Sequence, residues 1–221
     1  MVAKDLISEV IPSLKTSDLG QTALNWMEIF RISHLPIVNN LDFLGLISDV
    51  DIYDMNQPSE PIGNHALTLI KPYVTSHQHI FEVIGLASRL KLSVVPVLDA
   101  NNHYKGVITT SDLIRHMAGI SSLDQPGGII VLEIVERDYS LSQIAQIVES
   151  NNAKVLSMYI TSPPDSTKLE VTLKLNTGDI SSVIKTFERY NYVITTWVTT
   201  DDSMESFYSE RFDLLMKYLN M

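Results

Sequence analysis

Residues 10–55, VIPSLKTSDLGQTALNWMEIFRISHLPIVNNLDFLGLISDVDIYDM, line up with residues 70–117, IKPYVTSHQHIFEVIGLASRLKLSVVPVLDANNHYKGVITTSDLIRHM. Pro12 pairs with Pro72 and Pro36 with Pro96 at a spacing of 60, whereas Gly45 pairs with Gly106 and Asp51 with Asp112 at 61. The extra residue falls between them, where Asn39-Asn40 faces Asp99-Ala100-Asn101-Asn102. Length changes of one residue belong in turns, so the register is self-consistent. A repeat this short cannot bury both faces of its own sheet, and two copies are expected to pack together.

Each copy has the same internal order. After the opening Pro, a helical period runs through Ala23, Trp26, Met27 and Phe30 in the first copy and through Ile80, Val83, Ile84, Ala87 and Leu90 in the second. A short apolar strand follows around the Pro (35–38; 94–98), then a turn, then a second strand (43–47; 105–108). A Ser/Thr/Asp cluster opens another helix, the usual composition of an N-cap. Each unit therefore reads as β-α-β-β-α.

Beyond it, SSLDQPGG at 121–128 reads as a linker. The period then changes. Strands are predicted at 129–135, 154–161, 169–175 and 192–199, with helices at 140–152 and from 177 to 190. The third of these strands alternates cleanly through Leu169, Val171, Leu173 and Leu175. The order β-α-β-β-α-β is the ferredoxin-like arrangement. A last helix is expected from Asp201-Asp202-Ser203 to Asn220, with Phe207, Phe212, Leu215 and Leu219 on its apolar side. The fold class is thus mixed, α+β with α/β character.

Composition removes several functions. Cysteine is absent from the 221 residues, which excludes disulfides, thiolate metal sites and a Cys nucleophile. A net charge of −10 repels a phosphate backbone, so nucleic acid is not an expected partner. The start MVAKDLISEVIP does not read as a signal peptide, and no uncharged apolar run approaches the roughly 18 residues of a membrane span. A soluble cytoplasmic protein without membrane partners is expected. His77-x-His79 lacks a third ligand nearby, and His65, His103 and His116 read as loop or surface residues, so no metal site is expected. Gly119 and Gly127-Gly128 form neither GxGxxG nor a P-loop, and Ser13, Ser33 and Ser93 have no nucleophile-elbow context. No nucleophile is assembled with a base, and the chain is not expected to be an enzyme.

The heptads Gly45-Leu46-Ile47-Ser48-Asp49-Val50-Asp51 and Gly106-Val107-Ile108-Thr109-Thr110-Ser111-Asp112, each preceded by a Pro-containing strand, resemble the CBS domain, which normally occurs as a tandem pair. The resemblance covers about residues 1–120, with repeats at 1–60 and 61–120. A domain of β-α-β-β-α-β order at 129–200, followed by the helix at 201–221, resembles an ACT domain. The whole is similar in architecture to the acetoin-utilisation protein B family. Many ACT domains carry a Pro-Gly turn where a small ligand docks; Asp138 and Tyr139 stand there in this chain.

The resemblance implies up to two adenosyl sites, each drawing on both repeats. Ser48 or Thr109 donates to a phosphate or ribose oxygen, and Asp51 or Asp112 accepts the ribose hydroxyls. Adenine sits near Ile32, Ser33, Leu92 and Ser93. Phosphate-binding CBS pairs often carry a basic residue two positions before the strand Pro; His34 stands there in the first repeat and Val94 in the second. Ser/Thr-x-x-Asp at a strand–helix junction is equally an ordinary helix cap. Asp49 adds a charge beside any phosphate, and like charges about 4 Å apart at an effective dielectric near 20 repel by about 4 kcal/mol before screening. AMP or a less anionic adenosyl compound is therefore expected before ATP, with no cofactor required. Two readings stand: a sensor of an adenosine-containing metabolite that acts on a regulated protein in trans, or an assembly module with empty clefts. CBS pairs commonly dimerise through their helices, so a homodimer is expected in either case.

Overall fold

The computed structural model describes residues 1–65, 69–163 and 167–199. The helix expected over 201–220 lies outside the described residues. The chain divides into two compact units, Met1–His116 and Met117 onward.

In the first unit the repeat is visible in the hydrogen bonds. The first copy contains α1 (Gly20–Phe30), β1 (His34–Asn39), β2 (Asp42–Ser48) and α2 (Asp49–Asp54). The second contains β3 (Val74–Thr75), α3 (Ile80–Leu90), β4 (Val94–Leu98), β5 (Tyr104–Thr109) and α4 (Thr110–Ile120). Both hairpins are antiparallel, with irregularities at Ile37/Val38 and Val97/Leu98. Helices α1 and α3 end on Arg31 and Lys91, both in the left-handed conformation. The amides of Ile32 and Leu92 then turn back to the carbonyls of Met27 and Ala87, the pattern of a tight C-terminal helix turn.

The opening strand of each copy is shorter than the sequence pattern implies. In the first it is a single parallel bridge, Leu14 to Ile37, and in the second only Val74–Thr75, parallel to β4. The turn that follows is the cause. Asp18 accepts the Lys15 amide at 2.7 Å and Gln78 accepts the Thr75 amide at 2.6 Å. Those side chains occupy donors that a longer ladder needs.

The two copies exchange their leading segments. Residues before the first copy pack on the second: Ala3 donates to Gln78 O at 2.9 Å and Ser8 to Val107 O at 2.8 Å. Residues before the second copy pack on the first, where Ile62 donates to Asp18 O at 2.8 Å and Leu46 to Ile70 O at 2.9 Å. Ile62 accordingly belongs to the core of the first copy with Leu14, Ala23, Met27, Leu35, Ile37, Ile47 and Ile52. The second copy is completed by chain from before the first, and the first by the segment that joins it to the second.

The second unit is a four-stranded antiparallel sheet of β6 (Ile129–Val135), β7 (Val155–Thr161), β8 (Lys168–Leu175) and β9 (Val193–Val198), in the order β7-β8-β6-β9. Helices α5 (Leu141–Ser150) and α6 (Ser181–Arg189) connect it in ferredoxin-like fashion. Ile130, Leu132, Val171 and Leu173 from the sheet meet Ile144, Val148, Val183 and Phe187 from the helices. The end of the segment read as a linker is stitched to this sheet: Gly128 exchanges backbone bonds with Thr177 and Leu175. A Cβ on Gly127 would stand 1.9 Å from the Leu175 carbonyl oxygen.

Gly45 and Gly106 sit where the exchanged segments cross, at φ +151° and +146°. At Gly45 an added Cβ meets Leu69 Cβ at 2.6 Å and the Ile70 carbonyl at 2.8 Å, whereas at Gly106 it meets only Ile7 Cγ2 closely, at 2.4 Å. A backbone oxygen cannot step aside as the end of a side chain can. Both Gly→Ala variants should lose stability, each by about 1–3 kcal/mol from the backbone conformation alone, and Gly45→Ala should lose more than Gly106→Ala. Urea unfolding of the two variants measures the difference, and the reverse order would refute this account of the crossing.

Candidate functional site

The two heptads end β2 and β5 and begin α2 and α4. In the first, Asp51 Oδ2 accepts both the Ser48 amide at 2.8 Å and the Ser48 hydroxyl at 2.7 Å, while the Asp51 amide donates to Ser48 Oγ at 3.1 Å. This is a reciprocal capping box. In the second, the Thr109 hydroxyl donates to Asp112 Oδ2 at 2.7 Å and accepts the Asp112 amide at 3.0 Å. The acids therefore act as cap partners in both copies. They differ at the other oxygen: Arg115 Nη1 lies 2.9 Å from Asp112 Oδ1. Arg115 follows Asp112 by three residues on the same helix, a spacing the sequence displays.

Ser33, His34 and Ser93 are brought together at the junction of the two copies. The Ser33 amide donates to Ser93 Oγ at 3.0 Å, and the Ser93 amide donates to His34 Nδ1 at 3.4 Å. Both serine hydroxyls lie 3.1 Å from the same nitrogen. An Nδ1 that accepts an amide carries no proton, which assigns the Nε2–H tautomer. Burial pushes the imidazole below its usual value near 6.5, against the opposing pull of Asp49 and Asp51. Desolvation disfavours the imidazolium, so burial works against His34 supplying positive charge.

The same serines carry the helices. Ser33 O accepts the Asp49 amide at 3.1 Å and Ser93 O accepts the Thr110 amide at 3.0 Å. Neither contact is visible from sequence spacing alone, because each joins a strand start to a helix start through folding of the hairpin between them.

A hollow of about 590 Å³ lies beside Ile32, walled by Gln21, Leu24, Asn25, Met27, Glu28, Asp49 and Tyr53. Its size falls within the roughly 300–1,000 Å³ of small-molecule sites. Its walls come from α1, α2 and Ile32, two residues after α1, all within the first copy. Asp49 lines it, and Asp51, Leu92 and Ser93 do not. Leu92 is buried at 3% exposure. His65, read as a loop or surface residue, has its side chain only 16% exposed, with Nε2 3.8 Å from Glu60.

In the second unit Asp138 and Tyr139 follow β6, as the sequence reading places them. Asp138 closes a short 3-10 turn with its side chain exposed, and Tyr139 packs toward the core. Asp138 borders a hollow of about 310 Å³ that also touches Gln143 and Tyr192. The Tyr192 hydroxyl donates to Gln143 Oε1 at 2.7 Å.

Residues 68–119 match the sequence profile of the family described as "CBS domain". The chain is similar to the inosine-5'-monophosphate dehydrogenase of Methanocaldococcus jannaschii, 24% identical over 133 residues, which are 58% of this chain and 26% of that enzyme. The match thus spans about a quarter of the length of the curated relative. Among solved structures, a CBS domain pair/ACT domain protein from Thermotoga maritima aligns at 18% identity with a TM-score of 0.46, over 54% of this chain and 98% of that one. CBSX2 in complex with AMP aligns at 20% identity with a TM-score of 0.46, over 54% of this chain and 97% of that one. The second of the two repeats, over residues 68–119, is a CBS domain.

Proposed function

We propose that the first unit is a non-enzymatic regulatory sensor that binds an adenosine-containing metabolite, AMP or a less anionic adenosyl compound, in the clefts of its repeat pair. The observation that carries this reading is the repetition of the Ser/Thr–Asp heptad with the same hydrogen bonds in both copies. The CBS profile match at residues 68–119 supports it. Asp51 is the better ribose acceptor. Its cap uses Oδ2 alone, whereas Asp112 holds Thr109 with one oxygen and Arg115 with the other. The hollow beside Ile32 offers apolar walls in Leu24, Met27 and Tyr53 for the base. Asp49 on its rim and the burial that works against a positive charge on His34 disfavour a polyphosphate. The ACT-like second unit relays the ligand state to a partner acting in trans, and the protein works as a cytoplasmic homodimer. Ile29, Val50, Tyr53, Phe81 and Ile114, each more than 60% exposed on α1 to α4, supply the apolar surface for self-association.

Two outcomes test this. AMP at one hundred times its dissociation constant should stabilise the chain by about 2.7 kcal/mol, read as a rise in melting temperature. Asp51→Ala should abolish the rise while costing about 1 kcal/mol of stability as a lost cap; Asp112→Ala should cost a similar amount and weaken the rise less. No response to AMP, adenosine or an adenosyl sulfonium would leave the assembly reading. For that reading, sedimentation should show a dimer that Tyr53→Glu with Ile114→Glu converts to monomer.

A further inference from the structure

We propose that His34 is a proton-operated latch between the two repeats: with Nδ1 bare it accepts the Ser93 amide and holds the junction, and a proton on Nδ1 releases that amide and shifts both helix starts together. Three polar groups surround Nδ1: the Ser93 amide, a fixed donor at 3.4 Å, and the hydroxyls of Ser33 and Ser93 at 3.1 Å, which can turn to donate or accept. Only an unprotonated nitrogen can accept the amide. A protonated Nδ1 must itself donate. The serine hydroxyls can rotate to accept, but the Ser93 amide, fixed by the backbone, faces a second donor and loses its partner.

The consequence reaches both clefts through one peptide each. Ser93 and Ser33 hold, by their carbonyls, the first amides of α4 and α2 at 3.0 and 3.1 Å. Those helices carry Asp112 and Asp51, each two residues further on. A change at Ser93 therefore moves Thr110 directly, and Ser33 follows because its amide is bonded to the Ser93 hydroxyl. The charged groups acting on the imidazole are Asp49 and Asp51, both from α2; Ser93, which faces it from the second copy, is uncharged. Their pull is outweighed by burial, so the ring titrates below its free value. The chain provides its own non-titrating precedent, since Val94 occupies the same place in the second repeat.

The latch stands on the junction alone. Its link to ligand rests on the nucleoside reading above, and the test keeps the two apart. In the full chain, the His34 ring and the amides of Ser93, Asp49 and Thr110 are followed by NMR from pH 8 to 5. The expected result is a His34 midpoint below 6.5 shared by all three amides, and loss of that shared titration in His34→Val. His34→Asn, which keeps an acceptor without a titrating group, should likewise hold the amides still and serves if the Val variant does not fold. A midpoint at or above 6.5, or amides of the second repeat that do not follow His34, would overturn the latch. Stability has a definite sign as well. The unfolded chain binds the proton first, so stability is lost as pH falls from about 6.5 toward the lower folded value, and His34→Asn should remove that slope. Adenosine, which carries no phosphate to titrate, is the ligand probe. Its affinity should change at least threefold between pH 7.5 and 5.5, and should not change in His34→Asn. Equal affinity at both pH values would overturn the coupling to the clefts. Absence of adenosine binding would defeat the nucleoside reading, with the amide titration still deciding the latch.

Discussion

Buried main-chain groups must find partners, and at the centre of the first unit that requirement decides the architecture. Each strand that enters the junction leaves a serine carbonyl without a ladder partner, and in both copies the first amide of the following helix supplies one. The helix start is thereby fixed against the strand start. Ser48 and Asp51, or Thr109 and Asp112, then complete the turn by capping each other. The side chains of the two heptads are oriented by the same few bonds that close the fold.

The exchange of leading segments adds a second constraint. Because residues 1–8 pack on the second copy and residues 58–63, 69 and 70 on the first, the copies cannot separate without breaking backbone bonds in both. Close crossing of these segments over β2 and β5 leaves no room for a side chain, which is why Gly45 and Gly106 stand there. Similar hydrogen bonding at spacings near 60 runs from the opening bridges to the helix ends, yet the clefts are chemically unequal. The first copy presents Asp49 and His34 where the second has Thr110 and Val94, and only Asp112 has an arginine partner. Two copies of one backbone shape thus differ in charge at corresponding positions.

The repeat, its register and the order of elements in both units are legible in local sequence patterns. Paired prolines, paired glycines and the alternation of Leu169 to Leu175 are local patterns, and each element forms for reasons within its own ten residues. The capping alternative for Asp51 and Asp112 was equally legible, since a cap depends on a spacing of three. The short opening strands were not, because their length is set by which side chain reaches the Lys15 and Thr75 amides first. Long-range packing sets which segment completes which repeat, that Gly127 and Gly128 lie against the second unit's sheet, and that burial works against a charge on His34. Those outcomes depend on groups brought together from 24 to 99 residues apart in the first unit and about 50 in the second. Charge state, burial and exchanged packing are properties of a neighbourhood, and spacing along the chain does not encode a neighbourhood until the chain has folded.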